Sequence, residues 1–201
     1  MMTRLSVSAL LFIFAFLLFS AASVSASTLN NLIVIYEEEV NIQARYTAYA
    51  RRADEEGYRG VAGLFRAVAK ANEISMRGIL KSIRKMGGFP RIVIESFPVD
   101  STRQNLDTAA RVEQVEWQRL YPQFVKEARE DNVPEPIQAM TYAKTAQNQH
   151  AGLFHRALES LDDWKGRKAF YVCRLCGYST MSRPDRQCPS CREVNSFDEV
   201  H

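Results

Sequence analysis

All four cysteines of the chain fall in its last 30 residues, as two Cys-x-x-Cys pairs: Cys173 with Cys176, and Cys188 with Cys191. A short loop of this kind folds back so that two sulfurs face one point. Two such loops offer a tetrahedral thiolate site to a single iron or zinc ion. Disulfide frameworks staple whole small domains, whereas the long region ahead of Cys173 contains no cysteine, so the spacing favours metal. Iron and zinc both suit four thiolates, and spacing does not separate them. Gly177, just after the first pair, suits the positive φ of such a knuckle; Arg192, its equivalent after the second pair, does not. Tyr171, Tyr178 and Phe197 are the candidate aromatic core around this site.

The region before the cysteines is helical by its periodicity. Leu32, Ile35, Tyr36, Glu39, Ile42, Tyr46 and Tyr49 recur at spacings of three and four, which predicts a helix over about 30–56. Similar stripes predict helices over about 58–86, 102–130 and 136–161. They are punctuated by Glu56-Gly57-Tyr58, by Gly87-Gly88-Phe89-Pro90 and by the break from Asn132 to Pro136. The short turns make the first two helices antiparallel neighbours, and likewise the last two. The connection from Gly87 to Ser101 is long enough to run extended along the bundle at about 3.3 Å per residue. That is the two-pair, long-crossover arrangement of ferritin-like four-helix bundles. A shift of 74 residues sets Asn31 on Asn105, Leu32 on Leu106, Glu39 on Glu113, Arg45 on Arg119 and Ala69 on Ala143, so the bundle reads as a repeated hairpin.

The first 26 residues read as an export signal: Arg4 is their only charge, Ala9 to Phe19 is almost wholly apolar, and Val24-Ser25-Ala26 is a small-residue cleavage site. The apolar run is short for a spanning helix, so no stable membrane span is expected. The mature chain then begins at Ser27 and works in a periplasm or a secretory or organelle lumen. It divides into a bundle over 27–161, a charged linker over 162–168 and a cysteine domain over 169–201. Without the signal, 25 basic side chains face 23 acidic ones, a net +2. That balance, with acidic residues diluting the basic C-terminal end, argues against a nucleic-acid partner.

Within the helical stripes sit polar residues that an apolar core would not hold without compensation. Glu39 lies between Tyr36 and Ile42; Glu113 takes the equivalent place in the third helix, with Glu116 one turn on; Glu73 follows Phe65 and Ala69; Gln147 and His150 follow Met140 and Ala143. Several inward carboxylates are best explained by a shared cation, and bundle two-metal sites take one Glu from each of two helices and a Glu-x-x-His from each of the other two. Glu39 and Glu113 fill the first pair. Glu73 and Gln147 fall on the Glu positions of the second.

With these residues in hand, the chain resembles the rubrerythrins: a mainly α ferritin-like bundle followed by a small rubredoxin-like β/loop metal domain. The stretches that carry the resemblance are Asn31-Leu32 through Glu39 to Tyr46, Glu56-Gly57-Tyr58, Glu113-x-x-Glu116 with Tyr121-Pro122, and the Cys173–Cys176–Gly177–Tyr178 and Cys188–Pro189–Ser190–Cys191 knuckles. The resemblance implies iron at the cysteines and one or two iron or manganese ions at Glu39, Glu73, Glu113, Glu116 and His150. Tyr46 and Tyr121 would orient the ligand carboxylates. It further implies an oxidoreductase passing electrons from the cysteine iron to the bundle metal to reduce hydrogen peroxide. The electron donor is not implied. The two centres of one chain would lie far apart and meet across a head-to-tail homodimer. The departures are Met76 and Gln147, which stand where the pattern has a histidine and a glutamate. They leave two further readings: an electron carrier with a degenerate bundle site, or a structural zinc protein.

Overall fold

In the computed structural model, residues 7–201 are described, with side chains from Ser27 onward. The export signal read at residues 1–26 lies outside the described side chains. Helix α1 (Val7–Glu55) turns through Gly57, at φ 83°, into α2 (Arg59–Lys85). An extended crossover leads to α3 (Thr102–Val115), which continues through a π-turn (Glu116–Leu120) into α4 (Tyr121–Glu130). Helix α5 (Glu135–Glu159) closes the bundle, and a 3-10 turn (Leu161–Trp164) precedes three short strands. These are β1 (Phe170–Cys173), β2 (Ser179–Thr180) and β3 (Phe197–Val200), paired antiparallel in the order β2-β1-β3. Among the described residues no helix is long and apolar enough to cross a membrane.

Local chemistry sets the boundaries. Ser101 and Gln104 form a reciprocal capping box that starts α3, satisfying backbone donors a helix end otherwise leaves bare. The crossover is tied to α1 by side chains: Glu37 accepts from the Arg91 amide, and Asn41 both donates to the Val93 carbonyl and accepts from the Glu95 amide. The π-turn also has a local cause. The Tyr121 amide donates five residues back to the Glu116 carbonyl, and Pro122 has no amide to restore the α-helical pattern.

That π-turn alters the internal repeat. It places one extra residue in the second hairpin, so Glu39 matches Glu113 at an offset of 74, but Tyr46 matches Tyr121 at 75. Beyond the turn, 75 is the register that holds. The 74-residue shift is therefore right up to the π-turn and wrong by one beyond it.

Two apolar clusters fill the bundle. One gathers Tyr46, Tyr49, Phe65 and Phe154, with ring centroids 5.2 Å apart for Phe65–Phe154 and 5.6 Å for Tyr46–Phe65. The other gathers Leu32, Ile35, Ile79, Ile83, Phe124 and Met140. Between the two clusters fall the buried Glu39 on α1 and the buried Gln147 and His150 on α5.

The cysteine domain is not held away on a linker. Asp162 and Asp163 point to solvent, but Trp164 is buried and stacks on Phe170, which joins the first apolar cluster. Small residues allow the close approach. A Cβ at Gly60 would lie 2.7 Å from the Gly166 carbonyl oxygen, and one at Gly63 would lie 2.8 Å from the His201 backbone. A Lys70–Asp198 ion pair of 2.6 Å spans the same seam.

Phe65 is fully buried against three aromatic neighbours. Phe65→Ala is expected to cost about 3–5 kcal/mol of folding free energy, read from the urea midpoint at unchanged slope.

Candidate metal centres

The four cysteine sulfurs all lie within 4.8 Å of one another, the one such convergence of metal-binding side chains among the described residues. Cys173 and Cys191 sulfurs are 3.6 Å apart and those of Cys176 and Cys188 3.5 Å. Each knuckle closes with the same bond: the Gly177 amide donates to the Cys173 carbonyl at 3.0 Å and the Arg192 amide to the Cys188 carbonyl at 2.9 Å. Gly177 sits at φ 74° and Arg192 at φ 64°, so the second knuckle takes the left-handed conformation although its residue is not glycine. Hydrogen bonding from the Cys176 thiol holds Cys173 down to about 4, with the Ser196 hydroxyl adding to it. Burial pushes Cys191 up to about 11. Cys176 is driven further upward, because its proton is the one shared with Cys173. Thiols that share protons unequally at van der Waals distance suit a cation that replaces those protons. Four thiolates in this geometry fit iron or zinc.

The polar layer of the bundle is the second centre. Glu39, Glu113, Glu116, Gln147 and His150 are all buried there, Glu113, Gln147 and His150 completely. Tyr121 donates to Glu39 Oε1 at 2.7 Å and Tyr46 to Glu113 Oε1 at 2.9 Å, one tyrosine for each repeat-related glutamate. Each tyrosine thus holds one of the two carboxylates by its hydroxyl. The Gln147 amide nitrogen donates to Glu39 Oε1 at 2.6 Å and to Glu116 Oε2 at 2.8 Å, drawing those two carboxylates together. His150 Nδ1 lies 3.1 Å from Glu113 Oε2, and its Nε2 lies 3.1 Å from Ser179 Oγ. Since the Ser179 hydroxyl donates to the Gly177 carbonyl, its oxygen accepts from Nε2–H. That bond places the Nδ1 lone pair toward the carboxylates, the tautomer a metal ligand needs.

Glu73 is not part of this layer. It is exposed and ion-paired with Arg77 at 3.0 Å, one turn along the outer face of α2. Met76, expected where a histidine stands in the pattern, is buried but one position away from the inward line. The residues that match Gln147 and His150 at the corrected offset of 75 are Asn72 and Ser75, both buried. The physical reason is the π-turn: on a helix, one residue of slip rotates a side chain by about 100°. Asn72, Ser75 and Ser179 were missed in the sequence. The Tyr46–Tyr121 spacing was the signal that could have found the first two.

These residues fit a two-cation centre poorly. Asn72 and Gln147 carry no charge where carboxylates are needed, and Ser75 replaces an imidazole, leaving three carboxylates against two divalent ions. Glu39 Oε2 and Gln147 Oε1 are buried acceptors with no partner, so the bonding of the layer leaves room for one cation, although its ligand atoms do not converge as the four sulfurs do. Without a cation, burial and then the Glu113 charge raise Glu39 to about 8, and burial with the charges of Glu39 and Glu113 drives Glu116 well above the carboxylate range.

The two centres adjoin within one chain. A Cβ at Gly177, next to the metal-facing Cys176, would lie 2.9 Å from the Ala71 carbonyl and 3.3 Å from Ser75 Oγ on α2. The expectation that they lie far apart and meet only across a dimer is not met, because the glycine contacts let the tail fold onto its own bundle.

A carboxyl whose pKa rises from 4.5 unfolded to about 8 folded favours folding fully below pH 4.5 and loses that contribution as pH climbs through 8. Metal-stripped protein should therefore melt at falling temperature across that window, and Glu39→Gln should flatten the slope in thermal denaturation.

Comparison with known proteins agrees with this architecture. The family model described as Rubrerythrin matches residues 30–158. Nigerythrin of Nitratidesulfovibrio vulgaris is 31% identical over 166 residues, covering 82% of each chain. Rubrerythrin of Porphyromonas gingivalis is 28% identical over 182 residues, covering 87% of this chain and 90% of the relative. The solved structure of nigerythrin in its fully reduced, all-ferrous state superposes with a TM-score of 0.80 at 30% identity, covering 86% of both chains.

Proposed function

The chain belongs to the rubrerythrin family, and on that footing we propose that it is a redox protein working from one iron at Cys173, Cys176, Cys188 and Cys191, with a bundle centre reduced from two cations to one. The observation that carries this reading is the inward row Asn72, Ser75 and Gln147, two neutral amides and a hydroxyl in the places of ligands. Iron at the cysteines supplies a single electron reversibly. The knuckle residue Gly177 rests on α2, and the Ser179 hydroxyl joins the Gly177 carbonyl to His150, so the route from sulfur to carboxylate layer is short and lies inside one chain. Tyr46, Tyr121 and Gln147 keep the carboxylates pointed inward, and the two flanking apolar clusters exclude water from them.

Reduction of hydrogen peroxide consumes two electrons, and in this reading the bundle lacks the ligand set for a second redox ion. The protein then acts as an electron carrier. We also propose export: Thr28 is already buried and bonded to Asp131, so a chain beginning at Ser27 keeps the whole bundle.

Metal analysis separates the readings. Asn72→Glu with Ser75→His and Gln147→Glu should raise the iron content of the bundle, whereas Met76→His with Gln147→Glu should not. A gain in the second variant alone would overturn the register assigned to α2. Peroxide should reoxidise the reduced protein at a rate that Glu39→Gln leaves unchanged; a large fall would restore the peroxidase reading.

A further inference from the structure

Ser196 lies beside the cysteine site, where its hydroxyl meets Cys173. It is 4% exposed, and its hydroxyl sits 3.2 Å from Cys173 Sγ. Its backbone is held from several sides. The Ser196 carbonyl accepts from the Arg174 amide at 2.7 Å, and the Arg174 guanidinium binds the Asn195 carbonyl at 2.7 Å and Asp198 at 2.8 Å. Asn195, at φ 51°, makes the sharp bend that turns the next side chain inward, and Phe197 then pairs with Cys173 across β1 and β3. A buried hydroxyl carries one proton and needs an acceptor. The sulfur of Cys173 is the acceptor the structure gives it.

Resting on the iron reading above, we propose that Ser196 is a positioning residue that raises the reduction potential of iron held by the four cysteines. The reduced iron–tetrathiolate unit carries one more negative charge than the oxidised unit. An O–H donor on a ligand sulfur therefore stabilises the reduced state more. The effect is on the midpoint, with no bond made or broken at Ser196. Its direction follows from the sign of the added charge. Main-chain amides can point at sulfur in any such knuckle; a side-chain hydroxyl can be removed without altering the backbone.

The test is the midpoint potential of the iron-loaded full chain, by spectroelectrochemistry, for wild type and for Ser196→Thr and Ser196→Val. Threonine and valine have the same shape and differ by the hydroxyl, so their comparison separates the hydrogen bond from packing. The expected result is a lower midpoint for Ser196→Val and a near-native one for Ser196→Thr. Equal midpoints for these two variants would overturn the proposal. Should the isolated protein carry zinc, the function proposed above fails, and the same comparison on iron-exchanged protein still decides the role of Ser196.

Discussion

Three carboxyl groups buried between two apolar clusters are the constraint around which this molecule is arranged. An isolated charge in such a layer is far costlier than any single contact can offset, so each oxygen needs a donor, a proton or a cation. The structure supplies donors: a tyrosine to each repeat-related glutamate and an amide shared between Glu39 and Glu116, while the imidazole of His150 turns its lone pair toward Glu113. Glu39 Oε2, Gln147 Oε1, the Asn72 amide and Ser75 Oγ stay without partners, so the bonding of the layer is incomplete. The layer is thus both the least stable part of the core in isolation and the most chemically equipped.

Substitution within this layer is conservative in shape and not in charge. Gln147 keeps the outline of a glutamate and turns an acceptor into a donor. The tyrosines hold the carboxylates in place, while Asn72 and Ser75 bring no charge to the layer. The cysteine quartet shows no such loss: both knuckles close with matching bonds, even where Arg192 must adopt a backbone conformation that glycine takes more easily.

Much of this was legible before any coordinates. The cysteine spacing identified the quartet, the helical stripes placed Glu39, Glu113, Glu116, His150 and Tyr46, and the family resemblance added Tyr121; all six are buried. Glu73 failed for a specific reason. A repeat offset of 74, which fits Glu39 and Glu113, was carried across a π-turn that adds one residue, and a π-turn has no strong sequence signature beyond the proline that follows it. Ser179 and Ser196 were illegible because their roles depend on tertiary neighbours. The docking of the tail was equally hidden, since Gly60 and Gly63 read as ordinary helix-weakening residues until the backbone that lies against them is known.

Those glycines fix how closely the tail sits against the bundle. A cysteine domain on a free tether would have to diffuse to its acceptor, and its rate would follow linker length and viscosity. Here main chain rests on main chain at Gly60, Gly63 and Gly177, and Trp164 is sunk in the bundle's own core. Iron at the sulfurs would sit at a constant separation from the carboxylate layer, in a matrix that barely rearranges when charge moves. Tunnelling distance and driving force, rather than domain motion, would then govern the speed.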